Sequence, residues 1–223
     1  PRSTPLYSSA ASDVYKRQGL SVFLIDLSKA LENGLTIRPI RTMINHATTE
    51  VFFDKLRVPA DCLIGKEGEG FRYILDGMNA ERILISAECI GDARWFIEKA
   101  SSYARDRNIF GRPIGQNQGI QFPIARAYAA TEAANLMLEN AANLFDSSKP
   151  CGAEANMAKM LASEASVQAA DMCMQTHGGF GFAEEFDIER KFRETRLYQI
   201  APISTNLILS YIAEQVLGLA RSF

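Results

Sequence analysis

Apolar residues recur along this chain at Ile83, Ala87, Ile90, Ile97, Ala100 and Ala104, with gaps of three, four or seven. That spacing lines one face of a helix and fits no strand. The helical stretch is expected to begin near Phe71. Two more follow over residues 119–145 and 153–176, the latter rich in alanine and methionine, with Lys149-Pro150-Cys151-Gly152 as the connector. Pro123 is expected near the first turn of its helix, where a missing N–H costs little. Gly178-Gly179-Phe180-Gly181 breaks the third helix, and shorter helices are expected at 187–195 and 206–218. Small alanine side chains let helices approach closely, so a compact antiparallel bundle is the expected core.

Residues 19–64 have a different texture. Residues 21–25 and 36–40 are β-rich runs separated by an Asn33-Gly34 turn signal, and residues 50–54 with 56–59 make a third stretch that Pro59 ends. So few strands leave sheet edges unpaired. The expected fold class is mainly α, a C-terminal antiparallel helical bundle over residues 65–223 preceded by a partial β-domain over 19–64. Residues 1–18 carry no core pattern. The run Asp13-Val14-Tyr15-Lys16-Arg17-Gln18 resembles the translation of a transposon-end sequencing adaptor, so this segment is expected to be non-native.

A formal net charge of -2 gives no electrostatic case for nucleic acid or an anionic membrane. Residues 207–219, the most apolar late stretch, are interrupted by Glu214, so no membrane span is expected. Cys62, Cys89, Cys151 and Cys173 form no C-x-x-C pair, and His46 and His177 are the only histidines. A metal site is therefore not expected, and idle thiols in a reducing compartment, cytoplasm or mitochondrial matrix, are.

Four local patterns lie in order along the helical region. Arg107-Asn108-Ile109-Phe110-Gly111 sits at a helix exit, Asn117-Gln118 opens the next helix, Gln175-Thr176-His177-Gly178-Gly179-Phe180-Gly181 closes the third, and Arg196-Leu197-Tyr198-Gln199-Ile200 precedes the last. Each alone is weak, but together they resemble the C-terminal domain of acyl-CoA dehydrogenases. Phe52-Phe53-Asp54-Lys55-Leu56-Arg57-Val58-Pro59 looks like the end of that family's middle β-domain.

The resemblance implies a truncated acyl-CoA dehydrogenase fold and FAD-dependent α,β-dehydrogenation of an acyl-CoA. It also implies a homo-oligomer, dimer or tetramer, that shares FAD sites, and an electron-transfer acceptor protein. Such chemistry needs a carboxylate in an apolar slot to take the α-proton, and a cofactor to accept hydride, which no side chain can do. Many family members place the base a few residues after the R-x-Y-x-I element, where Pro202 stands here. A second branch, resembling the isovaleryl and long-chain enzymes, places it before an arginine on an earlier helix. Asn79-Ala80-Glu81-Arg82 matches that pattern, which makes Glu81 the expected catalytic base and Asn79 and Arg82 substrate contacts.

By the same resemblance Arg107, Asn117, Gln118, Gln175, Thr176, His177, Gly178, Gly179, Ser204, Thr205 and Asn206 are expected around FAD, with His177 read as packing. Plain structural readings stand beside these. Glu81 could stabilise a helix dipole, Arg82 an ion pair, Arg107 a helix end, Gln118 a cap, and the glycines a helix stop. Two rival readings keep the fold and change the function: altered, monooxygenase-like flavin chemistry, or a non-catalytic interaction module.

Overall fold

The computed structural model describes residues 19–44 and 47–221; the segment expected to be non-native, 1–18, lies outside them. The chain separates into two compact units, the first ending at Met78 and the second beginning at Asn79. The division falls within a long helix.

The first unit contains β1 (Val22–Phe23), α1 (Leu27–Leu31), β2 (Leu35–Ile40), β3 (Thr48–Phe53), β4 (Leu63–Ile64) and the first residues of α2 (Gly70–Asp106). β2 and β3 pair antiparallel from Leu35 opposite Phe53 to Ile40 opposite Thr48, and β1 pairs antiparallel with β4. Ile25, Ala30 and Leu35 form the buried centre. Ile40, Phe52, Phe53 and Ile64 remain exposed, which fits the expected shortage of covering strands.

Two details differ from the sequence reading. α1 was not expected; it is set by Asp26, whose carboxylate accepts from the Ser28 backbone N–H at 3.0 Å. Asn33-Gly34 therefore ends a helix instead of joining two strands. Gly34 has φ +103, and a Cβ there would lie 2.3 Å from the Asp54 carbonyl oxygen, so only glycine fits. Residues 56–59 do not extend β3, because Lys55 turns into the left-handed region at φ 50. Leu56 and Val58 then pack on the Ile25 cluster.

The second unit holds the rest of α2, the short ribbon β5 (Asn108–Ile109) with β6 (Arg112–Pro113), and helices α3 (Gln118–Asp146), α4 (Gly152–His177), α5 (Ile188–Thr195) and α6 (Thr205–Tyr211). Its core is built from alanine. Cys89 and Ile90 of α2 meet Ala134, Leu138 and Ala141 of α3 and Ala158, Ala162 and Ala165 of α4. Ala93, Phe96 and Ala100 meet Ala127 of α3 and Ala169, Ala170 and Cys173 of α4. Numbers rise along α2 and α4 while they fall along α3, so the three helices run up, down and up, as the short connector requires.

Pro123 lies beyond the first turn of α3, deeper than expected. The carbonyl that loses its partner belongs to Gly119, which is exposed and open to water. The last helix ends its α geometry at Tyr211 and continues as a π turn over Ile212–Val216, and Gly218 at φ 69 follows it. The cysteines Cys62, Cys89, Cys151 and Cys173 are all free. Burial pushes the Cys89 and Cys173 thiols up to about 12, which leaves both protonated and inert.

Candidate functional site

The second unit carries a cleft of about 930 Å³ where the end of α2, the β5–β6 ribbon, the start of α3 and the end of α4 converge. Arg107, Asn117, Gln175, Thr176, His177, Gly178 and Gly179 all line it. Sequence motifs some 70 residues apart are thus brought to one place by the up-down-up path of the helices.

Each wall has a local cause. α4 stops because Gly178 adopts φ 58 and ψ -131, a backbone state reserved almost entirely for glycine. A Cβ on Gly178 or Gly179 would meet nothing within 4 Å, so this corner of the cleft is bare backbone beside open space, able to admit a ligand closely. Arg112 belongs to the ribbon, Arg107 directly precedes it, and both are exposed. Arg112 donates to the Asn117 side-chain oxygen at 2.7 Å, while Asn117 donates to the Ile114 carbonyl at 3.0 Å. Asn117 therefore ties the ribbon to α3 and does not cap the helix with its side chain.

The Arg107 guanidinium lies 5.8 Å from the centre of the Phe180 ring and forms no ion pair among the described residues. Two guanidinium groups with no ion pair among the described residues, beside bare glycine backbone, are chemically complementary to an anionic group. Ile109, Phe110, Ile114, Ile120 and Phe180 supply flat apolar wall. Gln118 starts α3 but does not line the cleft.

His177 is buried and stacked on Tyr103 with centroids 4.2 Å apart. Tyr103, Phe110 and Arg112 are among the cleft residues that the site assignment from sequence left out, along with Ile109, Ile114, Ile120, Phe180 and Ala183. Phe110 stands inside the R-x-x-F-G motif, and Arg112 directly follows it.

A second group of polar residues lies towards the opposite end of α2. Asn79 accepts from Arg82 at 2.9 Å. The Arg82 Nε is buried with no hydrogen-bond partner among the described residues. Burial lowers the Arg82 pKa, with Tyr211 and Glu81 opposing. Glu81 itself is exposed on this chain. Ser204 caps α6 by accepting from the Leu207 backbone N–H at 3.4 Å, Thr205 contacts the Gln199 carbonyl at 3.5 Å, and Asn206 is exposed. Ser204, Thr205 and Asn206 do not line the cleft.

The cleft meets the C-terminal end of α2, whereas Glu81 lies in the N-terminal third of the same helix. Glu81 and Asp106 lie 25 positions apart on α2, about 38 Å at 1.5 Å per residue.

The sequence model described as "Acyl-CoA dehydrogenase, C-terminal domain" matches residues 68–217, most of the chain. The chain belongs to the acyl-CoA dehydrogenase family. It is 39% identical over 176 residues to acyl-CoA dehydrogenase fadE12 of Mycobacterium bovis, covering 78% of this chain and 45% of that one. Its fold matches the structure of butyryl-CoA dehydrogenase from Megasphaera elsdenii with a TM-score of 0.88 and 26% identity, covering 95% of this chain and 55% of that one. It matches the FAD complex of PigA with a TM-score of 0.88 and 29% identity, covering 96% and 55%. The chain thus spans about half the length of the acyl-CoA dehydrogenases it resembles. Among the described residues no helix is long and apolar enough to cross a membrane.

Proposed function

We propose that the full-length protein is an FAD-dependent acyl-CoA dehydrogenase in which Glu81 removes the α-proton of the thioester. The observation that carries this reading is Glu81 on α2 beside the half-buried Arg82, in a family whose named relatives include acyl-CoA dehydrogenases. When bound, FAD supplies the acceptor for the β-hydrogen as hydride.

The residues of the cleft suit that cofactor. Arg107 and Arg112 offer guanidinium forks to its diphosphate, the Gly178-Gly179 backbone admits close approach, and Gln175 is exposed at the rim. A solved relative described as an FAD complex supports the assignment. Gln118, at the start of α3 and outside the cleft lining, is a further proposed cofactor contact.

The separation of about 38 Å along α2 supports an assembly of identical subunits. The Arg107 cleft of one copy would hold the FAD that serves the Glu81 of another, and Ser204, Thr205 and Asn206 would approach the flavin on the Glu81 side. Residues 19–64 are then the end of a middle β-domain, residues 65–223 the C-terminal helical domain, and the reduced cofactor is reoxidised by an electron-transfer acceptor protein. Glu81, exposed on the isolated chain, would be shielded from water when the acyl slot closes around it, in the setting a general base needs.

Pro202 supports a second reading, altered flavin chemistry, because it stands where many relatives carry the base. One experiment separates the two. The full-length protein, loaded with FAD, is mixed without oxygen with a panel of acyl-CoAs. Bleaching of the flavin with an enoyl-CoA product supports dehydrogenation. An oxygenated product formed only in air would replace it with the second reading.

A further inference from the structure

The acyl-CoA dehydrogenase reading leaves one buried cation without a role. Lys159 sits in the middle of α4 with no exposed surface, on the face that carries Ala155, Ala158 and Ala162. A lysine there loses its hydration and gives up much side-chain entropy, so its ammonium needs a compensating partner. Among the described residues its one hydrogen-bond partner is the Ile203 carbonyl oxygen, 2.6 Å away. Burial lowers its pKa, the Cys89 thiol opposes this, and the Arg82 cation adds to the lowering.

Ile203 belongs to the loop between the turn Arg196–Gln199 and α6, the loop that holds Pro202. In a trans peptide the carbonyl of one residue and the N–H of the next point in opposite directions. The Ile203–Ser204 bond is trans. With its oxygen drawn to Lys159, the same peptide unit turns the Ser204 N–H away from Lys159. Neither the Ile203 nor the Ser204 N–H has an acceptor among the described residues. Pro202 has no N–H to offer. A hydrogen bond from a cation to the carbonyl end of a peptide also polarises its N–H end and makes it a stronger donor.

We infer that Lys159 is a positioning residue for the proposed reaction: by holding the Ile203 carbonyl it aims and polarises the Ser204 backbone N–H as the donor to the thioester oxygen. Resting on the proposed dehydrogenase reading, the inference assigns the donor to Ser204, since the neighbouring Pro202 has no N–H. Enolate charge develops on that oxygen as the α-proton leaves to Glu81. A preorganised N–H at that point acts in the transition state more than in the ground state.

The test uses the full-length, FAD-loaded enzyme and an acyl-CoA labelled with carbon-13 at the thioester carbonyl. Three readouts are taken: kcat and KM, the melting temperature, and the isotope-edited infrared stretch of the bound carbonyl. Lys159→Met keeps an unbranched side chain, one atom shorter, and removes the donor. It should lower kcat by about 100-fold, the scale of a small misplacement at a reacting centre, with a smaller change in KM. It should also move the carbonyl band towards the position of the free thioester. Lys159→Gln, which retains an N–H donor, should recover part of both.

Ser204 has φ -70, a value proline shares, and Ser204→Pro deletes the N–H. Ser204→Ala deletes only the side-chain cap. Ser204→Pro should fall at least about tenfold further in kcat than Ser204→Ala, since one such donor is worth roughly 100- to 1,000-fold, and only Ser204→Pro should shift the band fully.

A merely structural lysine would lower the melting temperature and leave the carbonyl band in place; that result overturns the inference. Equal kcat and equal bands in Ser204→Pro and Ser204→Ala also overturn it, and this pair decides if Lys159→Met fails to fold. A wild-type enzyme that does not oxidise acyl-CoA would instead sink the dehydrogenase reading itself.

Discussion

His177 lies nearly face to face with Tyr103, the ring planes 26° apart and the centroids separated by 4.2 Å. Its Nδ1 N–H donates to the Cys173 carbonyl at 2.9 Å, which leaves Nε2 unprotonated. Burial lowers the His177 pKa, the Cys173 carbonyl opposes this, and the Lys99 cation adds to the lowering. The unfolded chain takes its proton near pH 6.5. As pH falls below that value the unfolded state binds the proton first, so the folded state loses stability. Above it, His177 contributes no pH dependence. The melting temperature of the wild type should therefore fall more steeply between pH 7 and 5 than that of His177→Phe. Parallel curves would contradict the neutral, stacked imidazole.

Gly178 offers a test of the cleft's floor. A methyl group there would touch nothing, so any cost of Gly178→Ala comes from forcing φ 58 and ψ -131 on a residue with a Cβ. That cost should be about 1–3 kcal/mol, read by denaturant unfolding. A change within about 0.5 kcal/mol, the size of an ordinary surface substitution, would contradict it.

Arg107→Ala separates cofactor binding from stability. Arg107 is exposed and makes no ion pair among the described residues, so unfolding should change by no more than about 0.5 kcal/mol. Loss of a charge-assisted hydrogen bond to the FAD diphosphate should weaken FAD about 10- to 100-fold. Unchanged FAD affinity, measured by titration of the apoprotein, would remove Arg107 from the site.

The long helices were legible because two signals agreed at each end. Expected at 119–145 and 153–176, they are found at Gln118–Asp146 and Gly152–His177. Alanine-rich composition pointed to close helix packing, and the connector and Gly178 marked the stops. α1 was missed because five residues are too few to show a period, although Asp26 carried its cap.

The cleft was legible through motifs that keep their order, and Arg107, Asn117 and the Gln175–Gly179 stretch do meet. Tyr103 was not, since nothing local links a tyrosine in one helix to a histidine 74 positions later. Lys159 was hidden for the opposite reason. A lone lysine in an alanine-rich helix reads as solvated, and only its packing beside Ala155, Ala158 and Ala162 shows that it is buried.

The most direct test of the central claim is the rate at which acyl-CoA reduces the flavin of the full-length enzyme on rapid mixing without oxygen, wild type against Glu81→Gln. The amide keeps the size of the side chain and cannot take a proton. The variant should bind FAD and acyl-CoA normally and reduce its flavin about 100- to 10,000-fold more slowly. Flavin reduction in Glu81→Gln at the wild-type rate would contradict the assignment of Glu81 as the base.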